Sequence, residues 1–409
     1  MRSRVFVVSL ALVVFCGAGL IARANVGDYP VDAGPSIAAL ARGDVRGAVN
    51  AQPLMGSVSI LIRAPFAAAA RELGAGQVGM YRAGVLPCIA AAAFLGMFLV
   101  RLLRKKDGAI LVAVLAVLTP ASLAAVRLGH PEEVLAGALA VGAVLAGARG
   151  RSLLAGVLLG LAIATKQWAL IAVGPAILAP QVGRRNVAIA GAVVSTALTL
   201  PLIVGNWAQF HGTSHNAATT PRIATASTVW SLVASREEVR VASADGKETT
   251  VSVYRPPTFA VRFSHPLIII VPLLLSVLLL RVRRARGPDA IALLALFFIV
   301  RCVFDPVDNA YYHVPLILSL LAWEVADSRL IRGVPWVTLV SAGALWVTFD
   351  YMEPRHIAHT TETVFYLAWT SALAAFLLYE ALIRPHRLPV RARNVDGIAT
   401  GVVASEGEQ

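Results

Sequence analysis

Residues 1–32 read MRSRVFVVSLALVVFCGAGLIARANVGDYPVD, and the fold class turns on how they are read. Two arginines precede a largely apolar run, and two carboxylates, Asp28 and Asp32, follow it at once. The run is long enough to cross about 30 Å of hydrocarbon as a helix. The ARA at 22–24 has the form of a signal-peptidase site. Many further apolar segments follow, which favours a retained first helix over a cleaved one.

The rest of the chain repeats the pattern. Of 409 residues, 57% are hydrophobic and 14% charged, with a mean hydropathy of +0.72. Soluble domains run at roughly half apolar and about a quarter charged, so the balance points to a polytopic membrane protein. Eleven more apolar segments lie between residues 84 and 382, which predicts an all-α fold of about 12 transmembrane helices. Several are shorter than the ~20 residues of a straight span. A net charge of +13 does not indicate nucleic acid, because the basic residues sit in short runs between apolar stretches rather than on one face. With the N-terminus inside, alternation puts RSR, RLLRKK, RGR, GRR, RVRRAR, Arg329 with Arg332, and RPHRLPVRAR on the inner side. That accounts for more than half of the 36 basic residues and predicts a cytoplasmic membrane protein with both termini cytoplasmic.

Two long segments then fall outside, 22–83 and 205–265. The first contains GSVSILIRAPFAAAARELG, where Arg63, Pro65 and Arg71 interrupt the apolar pattern; this suits interfacial helices. The second alternates through REEVRVASADGKETTVSVYRP, which predicts a small β-hairpin turning at ADGK. Residues 1–386 thus form one transmembrane domain, and 387–409 a disordered cytoplasmic tail. The three cysteines, Cys16, Cys88 and Cys302, lie in apolar segments without paired spacing, so they indicate packing rather than disulfides or zinc.

Polar equipment gathers on the outer side. Of the eight histidines only His386 falls inside, and no GxxxxGK[ST] or strand-linked GxGxxG offers a nucleotide site. Four stretches share the outer level: GDYPVD (27–32), RLGHPEE (127–133), GVLLGLAIATKQWAL (156–170) and RCVFDPVDNAYYHVP (301–315). Lys166 interrupts two half-length apolar segments, a costly position unless water, an anion or a carboxylate meets it. A phosphate is a natural partner, and Arg301 and Arg127 lie at equivalent depth, so the three could ring one phosphate. His313 is a further phosphate candidate. His130, Glu132 and Glu133 are candidate acceptor or substrate contacts, although Pro131 and the two glutamates also read as a plain helix start. Asp305 and Asp308 in DPVDN have the look of a metal pair, but with no fixed third ligand the sequence indicates no metal and no other cofactor.

At these residues the chain resembles the GT-C glycosyltransferases, particularly the family 87 type of polyprenol-phosphate-mannose-dependent mannosyltransferases of actinobacteria. GDYPVDAGPSIAALARGD, GHPEE and GLAIATK carry the resemblance. It implies a GT-C-like fold and inverting transfer of a sugar, mannose above all, from a polyprenyl-phosphate donor to an envelope glycolipid or glycan acceptor outside the cytoplasmic membrane. It matches Asp28 in D-x-x-V to the catalytic carboxylate, with Asp32 as its neighbour. The leaving phosphate is already ionised, so one general base suffices. A lipid-sugar flippase or a non-catalytic envelope scaffold is the alternative reading.

Overall fold

The structure, a computed structural model, describes residues 2–51, 56–103, 107–219, 224–242, 248–282, 287–355 and 357–383. It is an all-α polytopic membrane protein, and every predicted apolar segment falls on a helix. After α1 (Arg2–Arg23), the first long loop folds into α2 (Gly34–Ala41), α3 (Val45–Ala51) and α4 (Ser57–Glu72). α5 (Gln77–Leu102) leads to α6 (Ala109–Val117) and α7 (Pro120–Leu128). The predicted span over 109–126 is one apolar stretch, interrupted at Leu118 and Thr119. Thr119 is extended (φ −136°, ψ 163°), as the residue before a proline prefers. Its hydroxyl accepts from the Ser122 N–H while Ser122 accepts from the Thr119 N–H, so a capping box restarts the helix.

α8 (Glu132–Ala148), α9 (Ser152–Thr165), a 3-10 turn (Gln167–Ala172), α10 (Val173–Leu178), α11 (Arg184–Gly205) and α12 (Trp207–Thr219) follow. The predicted hairpin is present as β1 (Ser235–Ala242) paired antiparallel with β2 (Glu248–Arg255); its ADGK turn lies outside the described residues, as does the predicted tail. The chain continues through α13 (Thr258–Arg281), α14 (Pro288–Phe304), a 3-10 turn (Ala310–His313), α15 (Val314–Ala326), α16 (Trp336–Trp346) and α17 (His359–Leu378).

Among the described residues six helical stretches are long and apolar enough to cross a membrane: those beginning at Arg4, Gln77, Ala109, Arg184, Thr258 and His359. The short ones have a different role. α8, α14 and α15 are apolar on nearly every face and buried along most of their length, as helices in the middle of a bundle are. α8 packs on α9, α5, α14 and α15. α11 and α13 instead leave most of their apolar side chains exposed, as a lipid-facing surface requires. Short enclosed helices end inside the bundle, and their polar ends meet there.

Candidate functional site

The turn that follows α1 is locked to the start of α8. α7 ends on Gly129 in the left-handed region (φ +94°), which only glycine adopts freely. There the chain passes so close to the loop after α1 that a Cβ on Gly129 would stand 2.6 Å from the Val26 carbonyl and 2.9 Å from the Asp28 nitrogen. The Asp28 N–H donates to the Leu128 carbonyl (3.0 Å). Backbone contact, rather than side-chain packing, thus fixes where Asp28 sits.

His130 joins the two segments. Its Nε2 lies 3.1 Å from Asp28 Oδ2 and its Nδ1 3.1 Å from Glu132 Oε1. Both partners are carboxylate acceptors, so both contacts are hydrogen bonds only when both ring nitrogens carry protons. Burial alone pulls the imidazole pKa down; the hydrogen bond and charge of Glu132, with the bond to Asp28, outweigh it, and the net direction is up. Tyr311 stacks on the ring at 4.5 Å.

Glu132 and Glu133 do not serve as solvated helix-start carboxylates. Both are buried and turn inward onto cations. Glu132 meets Arg63 Nη1 at 3.3 Å and Lys166 Nζ at 3.2 Å. Glu133 meets Lys166 Nζ at 3.6 Å, takes two bonds from Arg301 at 3.3 and 3.4 Å, and accepts from the Trp168 indole N–H at 3.0 Å. The Arg301 guanidinium lies 4.5 Å from the ring centres of both Trp168 and Tyr312, while that of Arg63 faces Tyr29 and Tyr81 at 5.4 and 5.9 Å. Three cations, Arg63, Lys166 and Arg301, thus face the two buried carboxylates Glu132 and Glu133, while the charges of Asp32 and Asp305 act on Lys166 and Arg301.

The Asp28 side chain is 68% exposed and open to a ligand, whereas that of Lys166 is only 14% exposed. Asp32 lies one turn beyond Asp28, its N–H donating to the Asp28 carbonyl, and its charge acts on Lys166. The structure therefore brings together Asp28, Asp32, His130, Glu132, Glu133, Lys166 and Arg301 from the predicted set. It does not bring in the other two. Arg127 is exposed at the end of α7 with its charge acting on Asp350. His313 is fully buried, its ring nitrogens against the Asn309 carbonyl and the Tyr366 hydroxyl, which closes it off from a phosphate. Glu132 and Glu133, expected to touch the acceptor, are counter-ions behind the surface.

The sequence reading passed over Arg63, Trp168, Tyr311 and Tyr312. Arg63 did carry a signal: a lone guanidinium in an apolar helix is expensive unless a carboxylate meets it. The three aromatics carried none, because belt residues and site walls have the same composition.

The chain matches the family model of glycosyltransferase family 87 over residues 57–306. The match takes in Arg63, the α7–α8 turn, Lys166 and Arg301; Asp28 precedes it and His313 follows it. No curated protein and no solved structure matches the chain.

Proposed function

The chain belongs to glycosyltransferase family 87, and from that premise we propose that it transfers a sugar, mannose above all, from a polyprenyl-phosphate donor to an envelope glycolipid or glycan on the outer face of the cytoplasmic membrane. The observation that carries this reading is the exposed Asp28 carboxylate linked through His130 and Glu132 to the Lys166 ammonium. Asp28 takes the proton from the acceptor hydroxyl, which attacks the anomeric carbon opposite the phosphate. The bond to the phosphate oxygen breaks, and its electron pair leaves with the polyprenyl phosphate. Lys166 meets the negative charge that grows there, while Arg63 and Arg301 share the charge of Glu132 and Glu133 with it. His130, held between Glu132 and Asp28, orients the base and stands near the same charge. Glu132 and Glu133 are positioning residues that hold Lys166 and Arg301 in place. Because the leaving group needs no proton, no second catalytic carboxylate is required.

Membranes carrying the wild-type chain and Asp28→Asn, supplied with radiolabelled polyprenyl-phosphate mannose and envelope lipids, test this. We expect a labelled glycolipid from the wild type alone. Equal transfer by both removes Asp28 from the mechanism. No transfer from any lipid-linked sugar returns the choice to a flippase or a scaffold. Sidedness is read separately, by impermeant thiol labelling of cysteines placed at 28 and 166 in a Cys16→Ser background. Labelling from the cytoplasmic side overturns the outer-face assignment.

A further inference from the structure

Behind Arg301 the connection from α14 to α15 turns back on itself and gathers a second set of side chains. Cys302 on the last turn of α14, Asp308 in the loop and His313 at the end of the following 3-10 turn are all buried. One ligand atom from each lies within 4.8 Å of the others. The proposed transfer uses none of the three.

Two features of the cluster ask for a cation. The Asp308 carboxylate is 1% exposed and ion-paired with no permanent cation among the described residues, and its side-chain hydrogen-bond partner, the Tyr366 hydroxyl, has one proton for both Asp308 and His313 Nε2, a costly setting for an ionised group. His313 Nδ1 lies 3.3 Å from the Asn309 carbonyl oxygen, so that nitrogen holds the proton and donates. Nε2 is left with its lone pair, 3.1 Å from the Tyr366 hydroxyl and 3.5 Å from Asp308 Oδ2. Two electron-pair donors thus face each other, with the Cys302 sulfur beside them. An imidazole that donates its far N–H to a backbone carbonyl is also how ligating histidines are held in orientation.

We propose that Cys302, Asp308 and His313 hold one divalent ion of the zinc class, which staples the end of α14 to the turn that presents Tyr311 and Tyr312 to the site. The donor set selects the ion. A thiolate with an imidazole and one carboxylate suits zinc and its borderline neighbours, whereas calcium and magnesium take oxygen ligands. Charge fits as well: thiolate plus carboxylate neutralise a divalent ion, so the complex tolerates a pocket walled by the rings of Phe349, Tyr366 and Trp369. On binding, the thiol proton leaves to solvent and a sulfur–metal bond forms, with no change of oxidation state. The Tyr366 hydroxyl or a water completes the shell. The consequence for the site is mechanical. Tyr312, whose carbonyl accepts from Arg301 (3.2 Å), and Tyr311, stacked on His130, sit on the stapled turn.

The test uses the full-length chain, purified in detergent without a histidine tag, stripped with a chelator and reloaded. Wild type is expected to retain one zinc per chain by elemental analysis, and Cys302→Ser and Asp308→Asn to lose it. Loading the wild type with cobalt is expected to give thiolate-to-cobalt charge-transfer absorption, a readout that needs no variant to fold. Wild type that retains no metal, or cobalt-loaded protein without the thiolate band, overturns the proposal. So does full zinc occupancy in Cys302→Ser.

Discussion

His130 Nε2 stands 3.1 Å from Asp28 Oδ2, across 102 residues of chain, and that contact joins the only exposed carboxylate of the network described above to its buried part. Asp28 is expected to be replaceable in the fold and irreplaceable in the reaction. Asp28→Asn should lower turnover by about 10²–10⁴-fold, the range general bases supply, with only a small fall in melting temperature from the weakened His130 contact. A variant that instead unfolds earlier and keeps its turnover per folded molecule would make Asp28 structural.

The raised pKa of His130 has a sign that can be measured. A group whose folded pKa lies above its unfolded value, about 6.5 for imidazole, adds stability that is complete below the unfolded value. That stability is lost as pH climbs through the folded value. Thermal unfolding of wild type and His130→Gln in detergent, from acid to mildly alkaline pH, should therefore show a wild-type advantage that shrinks as pH rises. A difference that stays constant over that window refutes a protonated His130.

Arg301 and Glu133 form a buried pair with side chains 5% and 1% exposed. Breaking such a pair from one side leaves an uncompensated charge and costs about 3–5 kcal/mol. Arg301→Met should approach that loss. The double variant Arg301→Met/Glu133→Gln should be more stable than the sum of the single losses implies, with a coupling of about 0.5–3 kcal/mol. Strict additivity in chemical unfolding would show that Lys166 and Trp168, not Arg301, carry Glu133.

Gly129 and Gly150 both have positive φ, +94° and +74°, but only Gly129 has neighbours. Alanine at either position meets backbone strain of about 1–2 kcal/mol. At Gly150 the added Cβ enters open space, whereas at Gly129 it collides with Val26 and Asp28 backbone. Transfer assays should find Gly150→Ala near wild type and Gly129→Ala strongly impaired, because only the second displaces Asp28. Equal activity in the two would mean the loop tolerates the shift.

Much of the architecture was legible along the chain. Apolar runs of helical length stand out in composition, so each predicted segment fell on a helix, although the enclosed short helices share that composition with the lipid-facing ones. Alternation of REEVRV and TTVSVY gave the hairpin for the same kind of reason. The break at Thr119 was signalled by Pro120 yet missed, because the apolar run continues straight across it.

The amino-acid sequence by itself determined the membrane class, the helical segments, the strand pair and the level at which Asp28, GHPEE, Lys166 and Arg301 would meet. Each is a property of neighbours in the chain: hydropathy, period and spacing. Only the tertiary structure decided which groups face the open mouth and which face one another. Glu132 and Glu133 turned out to be counter-ions, His313 a member of a separate buried cluster, Arg127 a surface charge, and Arg63 a buried partner of Glu132 across 69 residues. Those roles depend on which charges end up paired when water is excluded. A charge is stabilised there by whatever partner the packing of distant helices delivers, and no local pattern records that partner.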